Sequence, residues 1–199
     1  MNRVLVTGAA GFIGSQLSKR LMDRGLTVKG LDNFNKHLYT PELKVDRMKH
    51  FGLDIWGCDL KDEIKLEALL RDFRPDTIIH LAATHQVTES FIDPAGYYTN
   101  NVANTINLLN HAVAAGVKSF IFSSSSSIYG GTNGNPNKET DPMLPISPYA
   151  RSKTMIEMIL KDYERAYSNM KFVSLRYFNA AGADPDSQCG YTQDPPGHL

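Results

Sequence analysis

The chain has 199 residues, 42% of them hydrophobic and 21% charged, which suits one globular domain with a buried core. Its 21 basic residues balance 21 acidic ones, so net charge offers no general attraction to nucleic acid or an anionic membrane, and no apolar run approaches the ~20 residues that span a bilayer. Cys58 and Cys189 form no CxxC pair, no metal site or disulfide framework is expected, and the N-terminus enters a short strand rather than a signal peptide, so a cytoplasmic location is the default expectation.

Strands and helices alternate along the chain. Val4–Val6 reads as a buried strand. Phe12–Arg24 reads as a helix, closed by Gly25. Thr27–Leu31 is a second strand. The polar stretch Phe34–His50 is harder to assign, with Pro41 placed to open a short helix. Leu53–Gly57 is a third strand and Lys61–Phe73 a helix. Thr77–Leu81 is a fourth strand, and Asn100–Ala115 a helix closed by Gly116. Lys118–Ser123 is a fifth strand, Gly130–Pro148 a loop, Ser152–Tyr167 a helix and Phe172–Arg176 a sixth strand. Short, almost wholly apolar strands separated by helices imply an α/β fold. The parallel sheet is covered on both faces and doubly wound in the Rossmann manner.

The turn after the first strand is Gly8-Ala9-Ala10-Gly11-Phe12-Ile13-Gly14. Gly8 permits the tight turn, Gly11 a close approach of backbone to a pyrophosphate, and Gly14 close packing of helix on strand. The helix N-terminus adds N–H donors and a positive dipole end. Asp32 follows the second strand, where an acid accepts from adenosine ribose hydroxyls and repels a 2′-phosphate, favouring NAD over NADP. Asp59 has two readings: a partner for the adenine amino group, or an N-cap for the helix from Lys61.

Tyr149 and Lys153 are four apart on a helix and so share a face. A free tyrosine, with a pKa near ~10, is a poor base, but a neighbouring ammonium favours the phenolate. Tyr149 can then take a proton from a substrate hydroxyl while carbon yields hydride to NAD⁺. Ser125, in the Ser123–Ser127 run where a buried strand ends, can hold the same hydroxyl.

These segments together resemble the extended short-chain dehydrogenase/reductases, and within them the nucleotide-sugar epimerases. The carrying motifs are VTGAAGFIG, LDN, CDL, IIHLAA, YYTNNVANT, FSSSSSIYG, SPYARSK and RYFNAAGADP. The resemblance implies that Phe12 and Ile13 face the pyrophosphate. Asp32 and Asn33 bind ribose, and Asp59 and Leu60 flank adenine. Leu81, Ala82, Ala83, Asn100 and Ser123 contact the cofactor, as do Tyr149 and Lys153, and Tyr177 and Phe178 border the nicotinamide. Ser125, Tyr149 and Lys153 are the implied catalytic residues, with Ser125 and Tyr149 also touching substrate. Asn179 and His198 are implied substrate contacts. Asn100 also reads as a helix cap, and Tyr177 and Phe178 as core.

Dehydratases of this superfamily carry acids after the catalytic hydroxyl, where this chain has Ser126 and Ser127. The resemblance therefore implies 4-epimerisation of a nucleotide sugar through a transient 4-keto intermediate. UDP-glucose and UDP-galactose are the leading pair, and RYFNAAGADP favours them. The stretch Leu31–Phe51 resembles a UDP-glucuronate epimerase instead. A keto-sugar reductase, or an NAD-binding module without turnover, stays open. Residues 1–179 are expected to form the NAD-binding domain, and 180–199 the start of a truncated substrate-binding region. A homodimer through the helices Asn100–Ala115 and Ser152–Tyr167 is implied.

Overall fold

The computed structural model describes residues 3–36, 39–131, 136–185 and 190. Its six strands are β1 (Arg3–Thr7), β2 (Thr27–Asp32), β3 (Ile55–Gly57), β4 (Thr77–His80), β5 (Ser119–Ser125) and β6 (Lys171–Tyr177). All neighbours pair in parallel, in the order β3-β2-β1-β4-β5-β6. This is the doubly wound Rossmann sheet. The winding reverses between β1 and β4, which opens a crevice at the carboxyl ends of these two strands.

The helices are α1 (Phe12–Asp23), α2 (Pro41–Phe51), α3 (Glu63–Phe73), α4 (Val87–Ile92), α5 (Pro94–Tyr98), α6 (Asn104–Ala114) and α7 (Pro148–Ala166). Alternation along β1 explains the two layers. Leu5 packs in one core with Leu66, Leu69, Leu108, Phe120 and Ile156, drawn from α3, α6, α7 and β5. Val4 and Val6 point the other way, onto Leu17 and Leu21 of α1.

Several boundaries differ from the sequence expectation, each for a local reason. The polar stretch before β3 is a full helix, because Thr40 accepts from the Leu43 amide and Pro41 occupies the first turn. α3 starts at Glu63 because Asp62, not Asp59, caps it through the Lys65 amide. The stretch before α6 holds α4, α5 and a π-helical turn at Thr99–Ala103, so α6 begins four residues later than expected. α7 begins at Pro148 rather than Ser152, since Ser147 accepts from the Ala150 amide. Tyr149 therefore sits in the first turn of α7. After a 3-10 turn at Ser126–Tyr129, the described residues up to Ser147 carry no helix or strand, as the Gly/Asn/Pro composition predicts.

His80 is 2% exposed and ties β1, β4 and α6 together. Thr105 Oγ1 donates to the Asn101 carbonyl at 2.6 Å, so it accepts from His80 Nε2–H at 2.9 Å. His80 Nδ1 then accepts from Thr7 Oγ1 at 2.7 Å, and Thr7 Oγ1 accepts from the Ala82 amide at 3.3 Å. The network thus selects the Nε2–H tautomer. Burial, with Lys153 nearby adding to it, pulls the imidazole down to about 3.

A second buried network joins β5, β6 and α7. Arg176 donates to both oxygens of Glu157, at 3.1 and 2.8 Å, and to Tyr129 Oη at 2.6 Å. Ser124 Oγ donates to Glu157 at 2.5 Å.

Two stability outcomes are expected. His80 has a folded pKa below its unfolded value of 6.5, so its stabilisation is full above pH 6.5 and declines as pH falls toward about 3. Between pH 6.5 and 5 this linkage alone removes about 1.5 kcal/mol. Urea titrations of His80→Gln are expected to show lower stability at pH 7 but a shallower decline to pH 5; equal slopes in both proteins would refute the assignment. Arg176→Met leaves the Glu157 carboxylate buried without its cation, at a cost of roughly 3–5 kcal/mol. Adding Glu157→Leu is expected to recover part of that loss, read from the same urea midpoints.

Candidate functional site

The crevice at the winding reversal is a cleft of about 370 Å³, and the glycine loop, the acid after β2 and the Ser-Tyr-Lys set all line it. Gly8 adopts φ +70°, and its amide donates to the Leu31 carbonyl at 2.8 Å. A Cβ there would stand 2.9 Å from the Ala82 nitrogen. A Cβ on Gly14 would stand 2.1 Å from the Gly8 carbonyl oxygen, so α1 rests directly on the loop backbone. Gly11, Phe12, Ile13 and Gly14 all face the cleft, and no side chain caps α1. The helix N-terminus is thereby presented to a ligand.

Asp32 is 5% exposed and is fixed from three sides. Oδ2 accepts from the Ala10 amide at 3.1 Å, and Oδ1 accepts from the Phe34 amide at 2.8 Å and from Lys44 Nζ at 3.2 Å. Asn33 Nδ2 donates to Asp59 Oδ2 at 3.1 Å, so these two residues from adjacent strand ends meet. Asp59 also accepts from the Lys61 amide, but the helix cap is Asp62; Asp59 faces the cleft beside Leu60. Leu81, Ala82 and Ala83 follow β4 into the cleft floor. Asn100 lies inside the π-helical turn and donates to Asn101 Oδ1 at 3.0 Å; it lines the cleft and caps no helix.

Ser125 ends β5 and pairs in register with Tyr177 of β6. Ser127 donates to Ser125 Oγ twice, through its amide at 3.2 Å and its hydroxyl at 2.9 Å. Tyr149 is 9% exposed and hydrogen-bonded to the Ser125 side chain. Lys153 is 4% exposed. Its Nζ donates to the Ser123 carbonyl at 2.8 Å and lies 4.9 Å from the Phe122 ring centroid and 5.8 Å from that of Tyr149. Tyr177, Phe178 and Asn179 close the same end of the cleft, Phe178 largely exposed rather than core.

One expectation about this set is corrected. Lys153 does not bring the Tyr149 phenol below its ordinary range. Burial pushes Tyr149 up, opposed by the Ser125 hydrogen bond, and burial also pulls Lys153 down to about 7. In so dry a pocket both charged forms are disfavoured, and the ammonium is directed at a carbonyl rather than at the phenol oxygen.

Every expected site residue among those described lines this one cleft; His198 lies outside the described residues. The sequence reading missed Asn35, Tyr39 and Lys44, which border the cleft beside Asp32. For Lys44 the one local cue is the Thr40-Pro41 helix start, which sets its position in the helix but not its partner Asp32. It also missed the Asn101 side chain, which accepts from the Thr84 amide at 2.9 Å and donates to Ser152 Oγ at 3.2 Å, joining the cleft floor to α7.

Comparison with known proteins agrees with this geometry. The profile of the NAD dependent epimerase/dehydratase family matches residues 4–193. UDP-glucose 4-epimerase of Rhizobium leguminosarum bv. trifolii is 38% identical over 200 residues, covering 98% of this chain and 57% of the relative. The structure of UDP-glucose 4-epimerase from Brucella ovis in complex with NAD superposes with a TM-score of 0.89 at 38% identity, over 100% of this chain and 58% of that one. The enzyme from Bifidobacterium longum in complex with NAD⁺ and UDP superposes with a TM-score of 0.90 at 33% identity, over 100% and 60%. The chain thus spans rather more than half the length of the relatives it matches. Sequence, fold and cleft agree that this chain belongs to the NAD dependent epimerase/dehydratase family.

Proposed function

We propose that this chain is the cofactor-binding and proton-transfer part of an NAD-dependent nucleotide-sugar 4-epimerase that interconverts UDP-glucose and UDP-galactose. The observation that carries the reading is Tyr149, buried, bonded to Ser125 and one helical turn before Lys153, in the cleft that also holds the glycine loop. Residues 1–179 are the NAD-binding part, and 180–199 begin a substrate-binding region.

The residues present suit the dinucleotide. Gly14 lets α1 rest on the Gly8 backbone, which brings the helix start to the cleft without a side-chain cap, and acids stand at the far end of the cleft. Gly11, Phe12 and Ile13 face the pyrophosphate, Asp32 and Asn33 the adenosine ribose, and Asp59 and Leu60 the adenine. Leu81, Ala82, Ala83 and Asn100 line the middle, and Ser123, Tyr177 and Phe178 the nicotinamide end. Bound NAD supplies the hydride acceptor. The protein handles the proton. Tyr149 Oη would take it from the sugar 4-hydroxyl as the phenolate, a form that burial disfavours and that the positive charge of bound NAD⁺ would favour. Ser125 holds that hydroxyl, and because Ser127 donates to Ser125 Oγ, the Ser125 proton stays available for a further acceptor. Asn179 and His198 meet the substrate.

Two complexes of related enzymes support the choice of ligands. The Brucella ovis enzyme is in complex with NAD, and that of Stenotrophomonas maltophila has bound NAD and formylated UDP-arabinopyranose. Ser126 and Ser127, in place of acids, leave no group to expel water and favour epimerisation over dehydration. UDP-glucuronate is the second substrate on this reading, on the strength of the Leu31–Phe51 stretch. We place the reaction in the cytoplasm and in galactose metabolism, consistent with Cys58 being a free buried thiol. The same proposal includes a homodimer through α6 and α7, where Met155 and Met158 present exposed apolar surface.

Conversion of UDP-galactose to UDP-glucose, followed by NMR without added cofactor, is the direct test, in this chain and in a longer protein carrying it. Tyr149→Phe is expected to lower turnover by about 10²–10⁴-fold while NAD is retained, and Ser125→Ala by about 10²-fold. Retained NAD with no conversion of either UDP-sugar pair would refute the epimerase reading. Met158→Glu is expected to sediment at the monomer mass; an unchanged dimer would exclude the α6–α7 interface.

A further inference from the structure

Asp32 is not alone at the ribose end of the cleft. Lys44 Nζ lies 3.2 Å from Asp32 Oδ1 and 3.3 Å from Asn35 Oδ1, and all three residues line the cleft. The ion pair is dry, with side chains 7% and 6% exposed. α2 delivers the lysine in a fixed position. Thr40 caps the helix start, and one turn after Lys44 the Arg47 guanidinium donates to the Gly190 carbonyl at 2.6 Å and lies 4.2 Å from the Tyr39 ring centroid.

An acid at the end of β2 disfavours a ribose 2′-phosphate because like charges would meet in a poorly solvated pocket. Here an ammonium touches the oxygen of that acid. The pair carries little net charge, and its cation stands within reach of whatever occupies the ribose position. With three acceptor positions already used, the acid keeps one, on Oδ2, for a hydroxyl, while its electrostatic veto on phosphate is reduced.

We infer that Lys44 is a specificity-determining residue of the adenosine-ribose site, offsetting the charge of Asp32 so that a 2′-phosphorylated dinucleotide is accepted more readily than the acid alone would allow. The inference rests on the dinucleotide reading above. The quantity that isolates it is the ratio of the NADP and NAD dissociation constants, measured calorimetrically on the 199-residue chain. Lys44→Gln is expected to raise this ratio about tenfold, and Lys44→Arg to keep it within about threefold of wild type. A Gln variant that weakens both dinucleotides equally, or neither, overturns the inference and leaves Lys44 a structural residue. Asp32→Asn provides a second reading should the Gln variant not fold. With Lys44 then unopposed, NADP is expected to bind more tightly than NAD, and a ratio that stays above one overturns the inference. If wild-type chain binds neither dinucleotide, the dinucleotide reading itself fails, and this inference with it.

Discussion

The contact between Gly14 and the Gly8 carbonyl governs the geometry of this protein. A single Cβ would sit 2.1 Å from that oxygen, so α1 can return onto the end of β1 only because position 14 has no side chain. The close return presents the amides of the first turn of α1 to the crevice. It also fixes the loop within reach of β2, where Asp32 grips the Ala10 amide and the Leu31 carbonyl accepts from Gly8. Had the loop stood further out, the acid would lose the Ala10 amide and keep only its local bond to the Phe34 amide and its contact with Lys44. The packing of one helix on one strand thus fixes the backbone that lines this end of the cleft.

The chemical end of the cleft is built differently. Its positions derive from α7, and α7 from Ser147-Pro148, which start the helix one residue before Tyr149. Two buried polar networks hold that helix against the sheet. One runs from Thr7 through His80 and Thr105 to Asn101 and Ser152, beside Lys153. The other runs from Ser124 through Glu157 to Arg176 and Tyr129. The first begins at the residue before Gly8, so the glycine loop and α7 share a continuous hydrogen-bonded frame. Satisfied networks of this kind rigidify a core because every alternative placement leaves a buried polar atom without a partner.

What could be read from the sequence follows from this division. Strands β1, β2, β4, β5 and β6 were legible because sheets covered on both faces need apolar runs. Gly8, Gly14 and Asp32 were legible because one backbone geometry admits them. The segment 87–103 was not, since two short helices and a π-helical turn leave no sustained period of 3.6. Lys44 and Arg47 were hidden for another reason: their burial rests on Asp32 and on Gly190, 143 residues away from Arg47 in the chain, and no local pattern reports such a partner. The protonation balance of Tyr149 and Lys153 was misread because spacing gives proximity but not dryness, and dryness sets the sign of the shift at Tyr149.

The two buried lysines of the cleft separate structure from chemistry. Lys44 meets a carboxylate at 3.2 Å, and the pair forms a fixed element of the ribose end. Lys153 meets a carbonyl oxygen and two aromatic faces, and burial pulls it down to about 7. A lysine with that value exchanges its proton near neutrality. A carboxylate placed beside Lys153 Nζ would stabilise the ammonium and remove that freedom. The absence of an acidic residue from the Ser123–Ser127 run therefore keeps Lys153 responsive to whatever charge enters the cleft beside Tyr149.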